Sequence, residues 1–482
     1  MTGSLPARLL ESSPDVLRLV HLTAIGGVGM TALAGLLQAR GHRVRGSDLE
    51  IYPPASEELA QLGVPIAKGY RAENLDPRPD LIVMGNAISA DNPEAIAARV
   101  RGIPTISLPE AIECFCLPGR ASLVVAGTHG KTTSASFLAL ALATAGRDPG
   151  YFIGGAPRDL PRSYALGSGR EFVVEGDEYD SAYFDKGPKF LHYAPSALIL
   201  TAVEFDHADI YRDLEHVKSS FERLLDLLPA EAPLLVCADF PHALDVAQAR
   251  RPGAFHTFSA AAEAAADWTL THLEDTPAGL RLTVRGPDED LVLESPLLGT
   301  MNARNLLGVA ALCRRLGLSV DDVRAAARSF HGVRRRQEIV VQAPVTLIDD
   351  FAHHPTAIAA TLDAVRSRYP GRRVWALFDP RSNTSRRRIF QHELAAALAA
   401  ADVVVIGPVF AADKLPPEQR FAPPDAAREI AVAGGEAIVA LDHDMIVDAV
   451  ESGARADDVV VALSNGAFGG VVGRLKKVFE VF

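Results

Sequence analysis

A chain of 482 residues is too long for one hydrophobic core, and a prior of about 150 residues per domain gives three. Hydrophobic residues at 48% and charged residues at 22% describe a globular protein, and a formal net charge of −12 argues against a nucleic-acid partner held by counterion release. Four scattered cysteines (Cys114, Cys116, Cys237, Cys313) without paired metal spacing, and no secretory signal, lead to the expectation of a reducing cytoplasm.

The first dozen or so residues read as a mobile polar tail, with order expected from about Val16. Leu19 to Ala39 carries no Lys, Arg, Asp or Glu, yet His21 and the glycines Gly26, Gly27 and Gly29 make it a strand, tight turn and helix rather than a membrane span. Gly27-Val28-Gly29-Met30-Thr31-Ala32 satisfies G-x-G-x-x-A at that turn, and Asp48 closes the next apolar segment after Ser47. This is the Rossmann pattern, with a pyrophosphate on the helix N-terminus and an acid near a ribose. Taken literally it predicts NAD and an oxidoreductase; the same physics suits any nucleoside diphosphate, a UDP-sugar included. Strand Leu81 to Met84 runs into a polar loop holding Asn86 and Asn92, at a strand end where open parallel sheets bind ligands.

Ala121 to Ala143 carries the most specific signal. An apolar strand, Leu123 to Ala126, precedes Gly127-Thr128-His129-Gly130-Lys131-Thr132-Thr133 and a helix from Thr132 to Ala143. Backbone N–H groups of such a turn point at an anion, Lys131 reaches terminal phosphates, and the Thr132 hydroxyl is placed to ligate Mg²⁺. Only two residues separate the glycines, where the general phosphate loop has four. Phe172 to Asp180 is a strand ending in carboxylates, Glu175 among them, and Ala197 to Ala202 ends in Glu204-Phe-Asp-His207-Ala-Asp209. Acid clusters at strand ends beside a phosphate loop favour Mg²⁺ over a solvated surface.

From His256 to Leu298 short alternating runs suggest a small antiparallel region. A helix opening at Gly299 carries Asn302 and Asn305 on one face, to read an adenine edge or to cap the helix. Beyond the basic hinge Gly332 to Arg336, five strands alternate with helical segments such as Pro355 to Arg368, a second doubly wound α/β unit. Its strand ends carry Asp349 to Pro355, Asp379 to Thr384 and Ser464 to Gly470, polar loops on one sheet edge suited to a second substrate.

Assembled in this order, the chain resembles the Mur ligases, ATP-dependent amide-bond-forming enzymes of peptidoglycan metabolism, over nearly its whole length. Gly127 to Thr133 is similar to that family's short phosphate loop. The resemblance implies an α/β protein of three domains: residues 1–119 binding UDP, 120–332 a central ATPase domain with the small antiparallel region, and 333–482 binding the amine. It implies that Gly26 to Met30 with Ser47 and Asp48 hold UDP rather than NAD, with Asn86 and Asn92 in the same site. Asn302 and Asn305 would lie by adenine, Thr132, Glu175 and His207 would ligate Mg²⁺, Arg336 would reach the γ-phosphate, and Asp350 and His353 would lie near the ATP ribose. Lys218 stands where some members carry a carbamylated lysine. Ile51 to Pro54, Phe184 to Lys186, Lys189 to Tyr193 and the third-domain loops are similar to the member that joins L-alanyl-γ-D-glutamyl-meso-diaminopimelate to UDP-N-acetylmuramate; Ala24 to Met30 is closer to the member that takes L-alanine. Arg381, Ser382, Asn383, Thr384, Ser464 and Asn465 are the expected peptide-binding residues, with Arg381 as carboxylate fork and Asn383 as its partner. Lys131, Glu175, His207, Arg336 and His353 are the expected catalytic set. Rival readings are the NAD-dependent oxidoreductase and a nucleotide-gated binding protein without chemistry.

Overall fold

The computed structural model describes residues 18–261, 264–276 and 278–480. The expected tail and the onset of order near Val16 lie outside the described residues. The chain forms two compact units, one of residues 1–203, 218–257 and 308–326, the other of residues 204–217, 258–307 and 327–482.

The first unit opens with β1 (Leu19–Thr23), β2 (Arg43–Asp48), β3 (Ile66–Lys68), β4 (Leu81–Met84) and β5 (Thr105–Ser107). All pair in parallel in the order β3-β2-β1-β4-β5. Val20, Leu22 and every residue of β4 are fully buried, as expected of parallel strands covered on both faces. Strand order reverses between β1 and β4, so the loops after β1, β2 and β4 converge at a switch point. The glycine turn feeds the helix Val28–Ala39, with Gly27 as its N-cap.

The same unit continues with β6 (Ala121–Ala126), β7 (Gly150–Phe152), β8 (Tyr164–Ala165), β9 (Glu171–Gly176), a short hairpin of β10 (Asp180–Ala182) and β11 (Asp185–Pro188), then β12 (Ala197–Leu200) and β13 (Leu234–Cys237). β13, β12, β6, β9 and β7 are parallel neighbours in that order, with β8 antiparallel at the edge. The helix Lys131–Thr144 leaves β6 through the phosphate loop and is buried from Thr132 to Leu142, which accounts for its small and apolar composition.

In the second unit β14 (His256–Ser259) pairs in parallel with β15 (Trp268–Thr276) through Phe258 and Ser259. β15, β16 (Gly279–Arg285) and β17 (Asp290–Ser295) form the expected antiparallel region. The last sheet contains β18 (Glu338–Gln342), β19 (Thr346–Asp350), β20 (Val374–Phe378), β21 (Val403–Ile406), β22 (Glu436–Val439) and β23 (Val459–Leu463), in the order β18-β19-β23-β20-β21-β22. β18 is an antiparallel edge strand absent from the sequence reading, because its apolar run, Ile339 to Val341, is short and only partly buried. Insertion of β23 between β19 and β20 brings the carboxyl ends of these three parallel strands side by side. The polar loops recognised in the sequence therefore do share one edge.

Gly35, inside the helix Val28–Ala39, lies against the Tyr164 ring: a Cβ there would stand 2.1 Å from the hydroxyl oxygen. Alanine favours a helix by about 1 kcal/mol over glycine. Overpacking against a rigid ring costs about 1 to 3 kcal/mol. Gly35→Ala is expected to lower the thermal unfolding midpoint, read by differential scanning fluorimetry; an unchanged or raised midpoint would show that the ring moves aside freely.

Candidate active site

The switch point of the first sheet holds a cavity of about 470 Å³ lined by Ala24, Gly27, Met30, Asp48, Leu49, Tyr70, Gly85, Asn86, Ala87, Ile88, Ser89 and Asn92. Asp48 accepts hydrogen bonds from the Gly26 N–H (2.8 Å) and the Tyr70 hydroxyl (3.1 Å), tying the glycine turn to the end of β2. Gly29 packs closely, since a Cβ there would meet Leu108 Cδ1 at 3.1 Å. Val28 is exposed beside it. Ser47, expected to touch ligand, is instead fully buried and donates to Glu94 at 2.7 Å. Glu94, also fully buried, accepts further hydrogen bonds from Thr23 (2.9 Å) and Asn74 (2.6 Å) and pairs with His21 (3.1 Å). Burial opposes its ionisation, but the hydrogen bonds from His21, Asn74 and Ser47 prevail and hold its carboxyl below the usual range. Asn92 caps the helix Pro93–Val100 by accepting the Glu94 N–H. Sequence reading missed Glu94; the legible signal was Asn92-Pro93-Glu94, a helix start.

The phosphate loop is fixed by close packing. Gly127 has φ +134°, and a Cβ there would lie 2.3 Å from the Thr201 hydroxyl and 2.6 Å from the Ala202 nitrogen, so glycine is required. The Thr128 N–H donates to Ala202 O at 2.9 Å, the His129 carbonyl accepts from the Thr201 hydroxyl, and Gly130, with φ +80°, caps the helix. Thr133 is buried in the first helical turn. Lys131 Nζ donates to Gly127 O (2.6 Å) and pairs with Glu178 (2.7 Å). Burial disfavours its charge, but Glu178 and Asp177 outweigh that and raise its pKa, so the ammonium persists. Asp177 pairs with Lys189 at 2.5 Å; despite burial, Lys189 and Lys131 hold its carboxyl down to about 2. Glu175 accepts from the Thr132 hydroxyl (2.8 Å) and the Gly154 N–H (2.7 Å). The donor set fits Mg²⁺: Thr132 and Glu175 offer hard oxygens side by side, and two ammoniums face three carboxylates, leaving local charge for a cation to neutralise. Lys218 pairs with Asp245 at 3.5 Å.

In the second unit, His207 has φ +55° on the loop after β12, its N–H donating to Asp206 (2.7 Å) and Thr384 (3.1 Å). Asp206 is buried; although desolvation opposes ionisation, His207, His353 and His354 and the Thr384 hydroxyl hold its carboxyl well below the usual range. Burial lowers the His353 pKa, and its Nδ1 lies 3.0 Å from Phe351 O. Arg336 stacks on Phe351 at 4.6 Å. Asp350 is buried, raised by desolvation, and accepts from the Gln337 and Ala352 N–H groups and the Thr361 hydroxyl. Asn302 and Asn305 are buried, and Asn302 Nδ2 donates to Leu298 O and to Gln337 Oε1.

At the joined ends of β20 and β23, Arg381 stacks on the exposed Phe410 at 4.1 Å and makes no ion pair among the described residues. A Cβ at Gly466 would stand 2.2 Å from its Nε, so glycine there leaves room for the guanidinium. Asn383 differs from expectation: its amide donates to Asp209 (2.7 Å) and accepts from Arg386 (2.7 Å), so both ends are committed. Ser382 pairs with Ser385, Thr384 donates to Asp206, and Ser464 donates to Asp379. These hydroxyls hold the loops in place, whereas Asn465 Oδ1 is without a hydrogen-bond partner among the described residues.

Residues 19–118 match the Mur ligase family catalytic domain, 125–313 the Mur ligase middle domain and 335–466 the Mur ligase glutamate ligase domain. The UDP-N-acetylmuramate–L-alanyl-γ-D-glutamyl-meso-2,6-diaminoheptandioate ligase of Escherichia coli (strain K12) is 37% identical over 94% of this chain and 96% of its own. The UDP-N-acetylmuramate–L-alanine ligase of Paenarthrobacter aurescens (strain TC1) is 36% identical over 94% and 96%. A murein peptide ligase from Psychrobacter arcticus 273-4 superposes with TM-score 0.73 at 32% identity, covering 96% of this chain and 99% of that one. The chain belongs to the Mur ligase family, whose members are ATP-dependent amide-bond-forming ligases. The first glycine turn is thereby removed from the oxidoreductases.

Asp349, next to Asp350, illustrates a cost in this region. Burial lifts its carboxyl to about 6, against the pull of Arg335 at 3.3 Å. Because the folded carboxyl holds its proton more tightly than the unfolded one, stability falls as pH rises through the window from the ordinary aspartate value of 3.8 to about 6. Asp349→Asn is expected to gain about 1 to 3 kcal/mol at pH 7 and to flatten that window. Urea unfolding at pH 4, 6 and 7 measures this; equal stabilisation at all three pH values would refute it.

Proposed function

We propose that this chain joins the tripeptide L-alanyl-γ-D-glutamyl-meso-diaminopimelate to UDP-N-acetylmuramate at the expense of ATP, in peptidoglycan recycling in the cytoplasm. Among the described residues no helix is long and apolar enough to cross a membrane. The observation that carries the choice of amine is Arg381, a guanidinium over the Phe410 ring and without an ion pair among the described residues, at the sheet edge where the strand-end loops meet. A tripeptide ending in diaminopimelate offers carboxylates for such a fork; free L-alanine has one, already next to the reacting amine. The similarity to the E. coli relative over almost the whole chain supports the same reading. L-Alanine as the amine is the second reading, favoured by the P. aurescens relative at nearly equal identity and by the turn Ala24 to Met30.

The domain boundaries proposed are residues 119 and 332. The cavity at Gly27, Asp48 and Asn86 would take the UDP-sugar. Lys131 would exchange Glu178 for phosphate oxygens of ATP, and Arg336 would add charge at the γ-phosphate, so that the transferring group is positioned and neutralised. Thr132 and Glu175 would hold Mg²⁺, with His207 as a further ligand; when bound, the ion supplies electrostatic stabilisation to the phosphates. The lactyl carboxylate attacks the γ-phosphorus, giving an acyl phosphate and ADP; the peptide amine then attacks the acyl carbon and phosphate leaves. His353 is suited to receive the amine's proton. Its Nδ1–H donates to Phe351 O, which leaves the Nε2 lone pair open, and the Asp206 carboxylate at 3.9 Å would stabilise the imidazolium.

Phosphate release from ATP is expected only with UDP-N-acetylmuramate and amine both present; equal release without the carboxylate substrate would sink the ligase assignment. Between the two amines, the wild type is expected to show a higher kcat/KM for the tripeptide than for L-alanine by orders of magnitude. Arg381→Ala is expected to lose about 1.5 to 3 kcal/mol on the tripeptide, the scale of a hydrogen bond to a charged group. A wild type that prefers L-alanine would move the chain to the second reading.

A further inference from the structure

We infer that Glu94 is a positioning residue for the first substrate: its buried carboxylate does not line the switch-point cavity but fastens together the segments whose ends wall it, and so sets the cavity's affinity for a nucleoside diphosphate sugar. The inference rests on the proposed reading of this cavity as the UDP-sugar site and adds to it the group that holds the site's shape.

The argument begins with valence. An ionised carboxylate has about four lone-pair sites and no proton to give. Glu94, fully buried, meets four donors. They are His21 Nε2 at 3.1 Å and the Thr23 hydroxyl at 2.9 Å on β1, the Ser47 hydroxyl at 2.7 Å on β2, and the Asn74 amide at 2.6 Å on the short helix Ala72–Leu75. Because the carboxylate only accepts, Nε2 carries the His21 proton; Nδ1 is without a hydrogen-bond partner among the described residues, so Nε2 is the end of the ring that is used.

Every one of these segments leads directly into the cavity wall. Thr23 precedes Ala24, and Ser47 precedes Asp48 and Leu49. Asn74 gives its other amide hydrogen to Gly69 O at 2.8 Å, beside Tyr70, and Glu94 donates its own N–H to the Asn92 side chain at 2.9 Å. Ala24, Asp48, Leu49, Tyr70 and Asn92 line the cavity, whereas Glu94 and its four donors do not. Backbone bonds already join the strand ends, from Ala24 N to Ser47 O (2.9 Å) and from Gly69 N to Asp48 O (2.7 Å). Glu94 brings the start of the helix Pro93–Val100, and Asn92 with it, onto the same ends. An apolar residue of this size would fill the space without the desolvation that a carboxylate costs. It would not supply a common acceptor to three other segments.

The test measures binding of UDP-N-acetylmuramate, of UDP and of the non-hydrolysable ATP analogue adenylyl imidodiphosphate to the full chain by isothermal titration calorimetry, below the unfolding midpoint of each variant. A cavity assembled only about a tenth of the time binds about tenfold more weakly. Glu94→Leu, which removes the acceptor for all four donors, is therefore expected to raise Kd for both uridine ligands by about tenfold or more and to leave that of the ATP analogue within about twofold. In turnover the same variant is expected to raise KM for UDP-N-acetylmuramate with little change in kcat. Glu94→Gln keeps one acceptor oxygen, and the Thr23 and Ser47 hydroxyls can turn to accept from its amide, so it is expected to recover most of the lost affinity. A Glu94→Leu chain with a lowered unfolding midpoint but wild-type Kd for the uridine ligands has lost only stability, and that overturns the inference. An equal loss for the ATP analogue overturns it too, as does a Glu94→Gln chain that binds as weakly as Glu94→Leu. If Glu94→Leu does not fold, Ser47→Ala decides: removal of one donor is expected to raise Kd about two- to tenfold, the scale of one hydrogen bond, and an unchanged Kd overturns the inference. A wild type that binds neither uridine ligand would instead remove the reading of the cavity itself, which the variants alone leave standing.

Discussion

A largely buried ammonium among carboxylates is the constraint on which the first unit depends. The Lys131 side chain is only 13% exposed, and a charge so placed persists where its neighbours compensate the lost hydration. Glu178 does so directly, Asp177 through space, and Asp177 is itself paired with Lys189. Glu178 and Asp177 stand just beyond the end of β9 and Lys189 just after β11, while Lys131 opens the helix after β6, the parallel neighbour of β9. Pairing of two parallel strands thus sets the geometry of the charges, and the packing of Gly127 against Thr201 and Ala202 sets the loop between them. An excess of negative charge remains around Thr132 and Glu175, whose oxygens are of the kind a hard divalent cation prefers.

Desolvation shapes the second unit as well, with a different outcome. Asp206 keeps its charge, because three histidines and the Thr384 hydroxyl offset the lost water. Asp349 and Asp350 sit side by side on β19 with less compensation, and both are driven toward the neutral form. The neighbouring arginines answer this only in part. Arg335 divides its guanidinium among Asp349, Ser464 O and Gly466 O, and so spends its donors on fixing the loop after β23. Destabilised carboxylates next to candidate ligand residues are the pattern expected where binding has been favoured over stability.

Much of the architecture was legible. Continuous apolar runs bounded by Gly and polar loops announced the parallel strands, and the pattern bounds of the helix Pro355–Arg368 match the observed ones. The phosphate loop was legible because only glycine permits that backbone, and the polar loops after β19, β20 and β23 because they follow apolar strands. β18 was not, since a partly buried edge strand needs little apolar sequence. The surroundings of Ser47 were not legible for a similar reason: period-2 alternation says that a side chain faces away from its neighbours, but not which face of β2 covers Glu94 and which faces the cavity.

The sequence by itself determined the strand and helix order, the glycine-dependent turns and the chemical types brought to each strand end, because these depend on local backbone sterics and on periodicity. Only the tertiary structure decided how each polar side chain is used. Asn383, Ser382 and Thr384 read as ligand groups, yet their hydrogen bonds are made within the protein. Gln337, which carried no signal, lies between Asn302 and Asp350. A polar atom's availability depends on what approaches it from residues far away in the chain, and that is settled by strand order and packing.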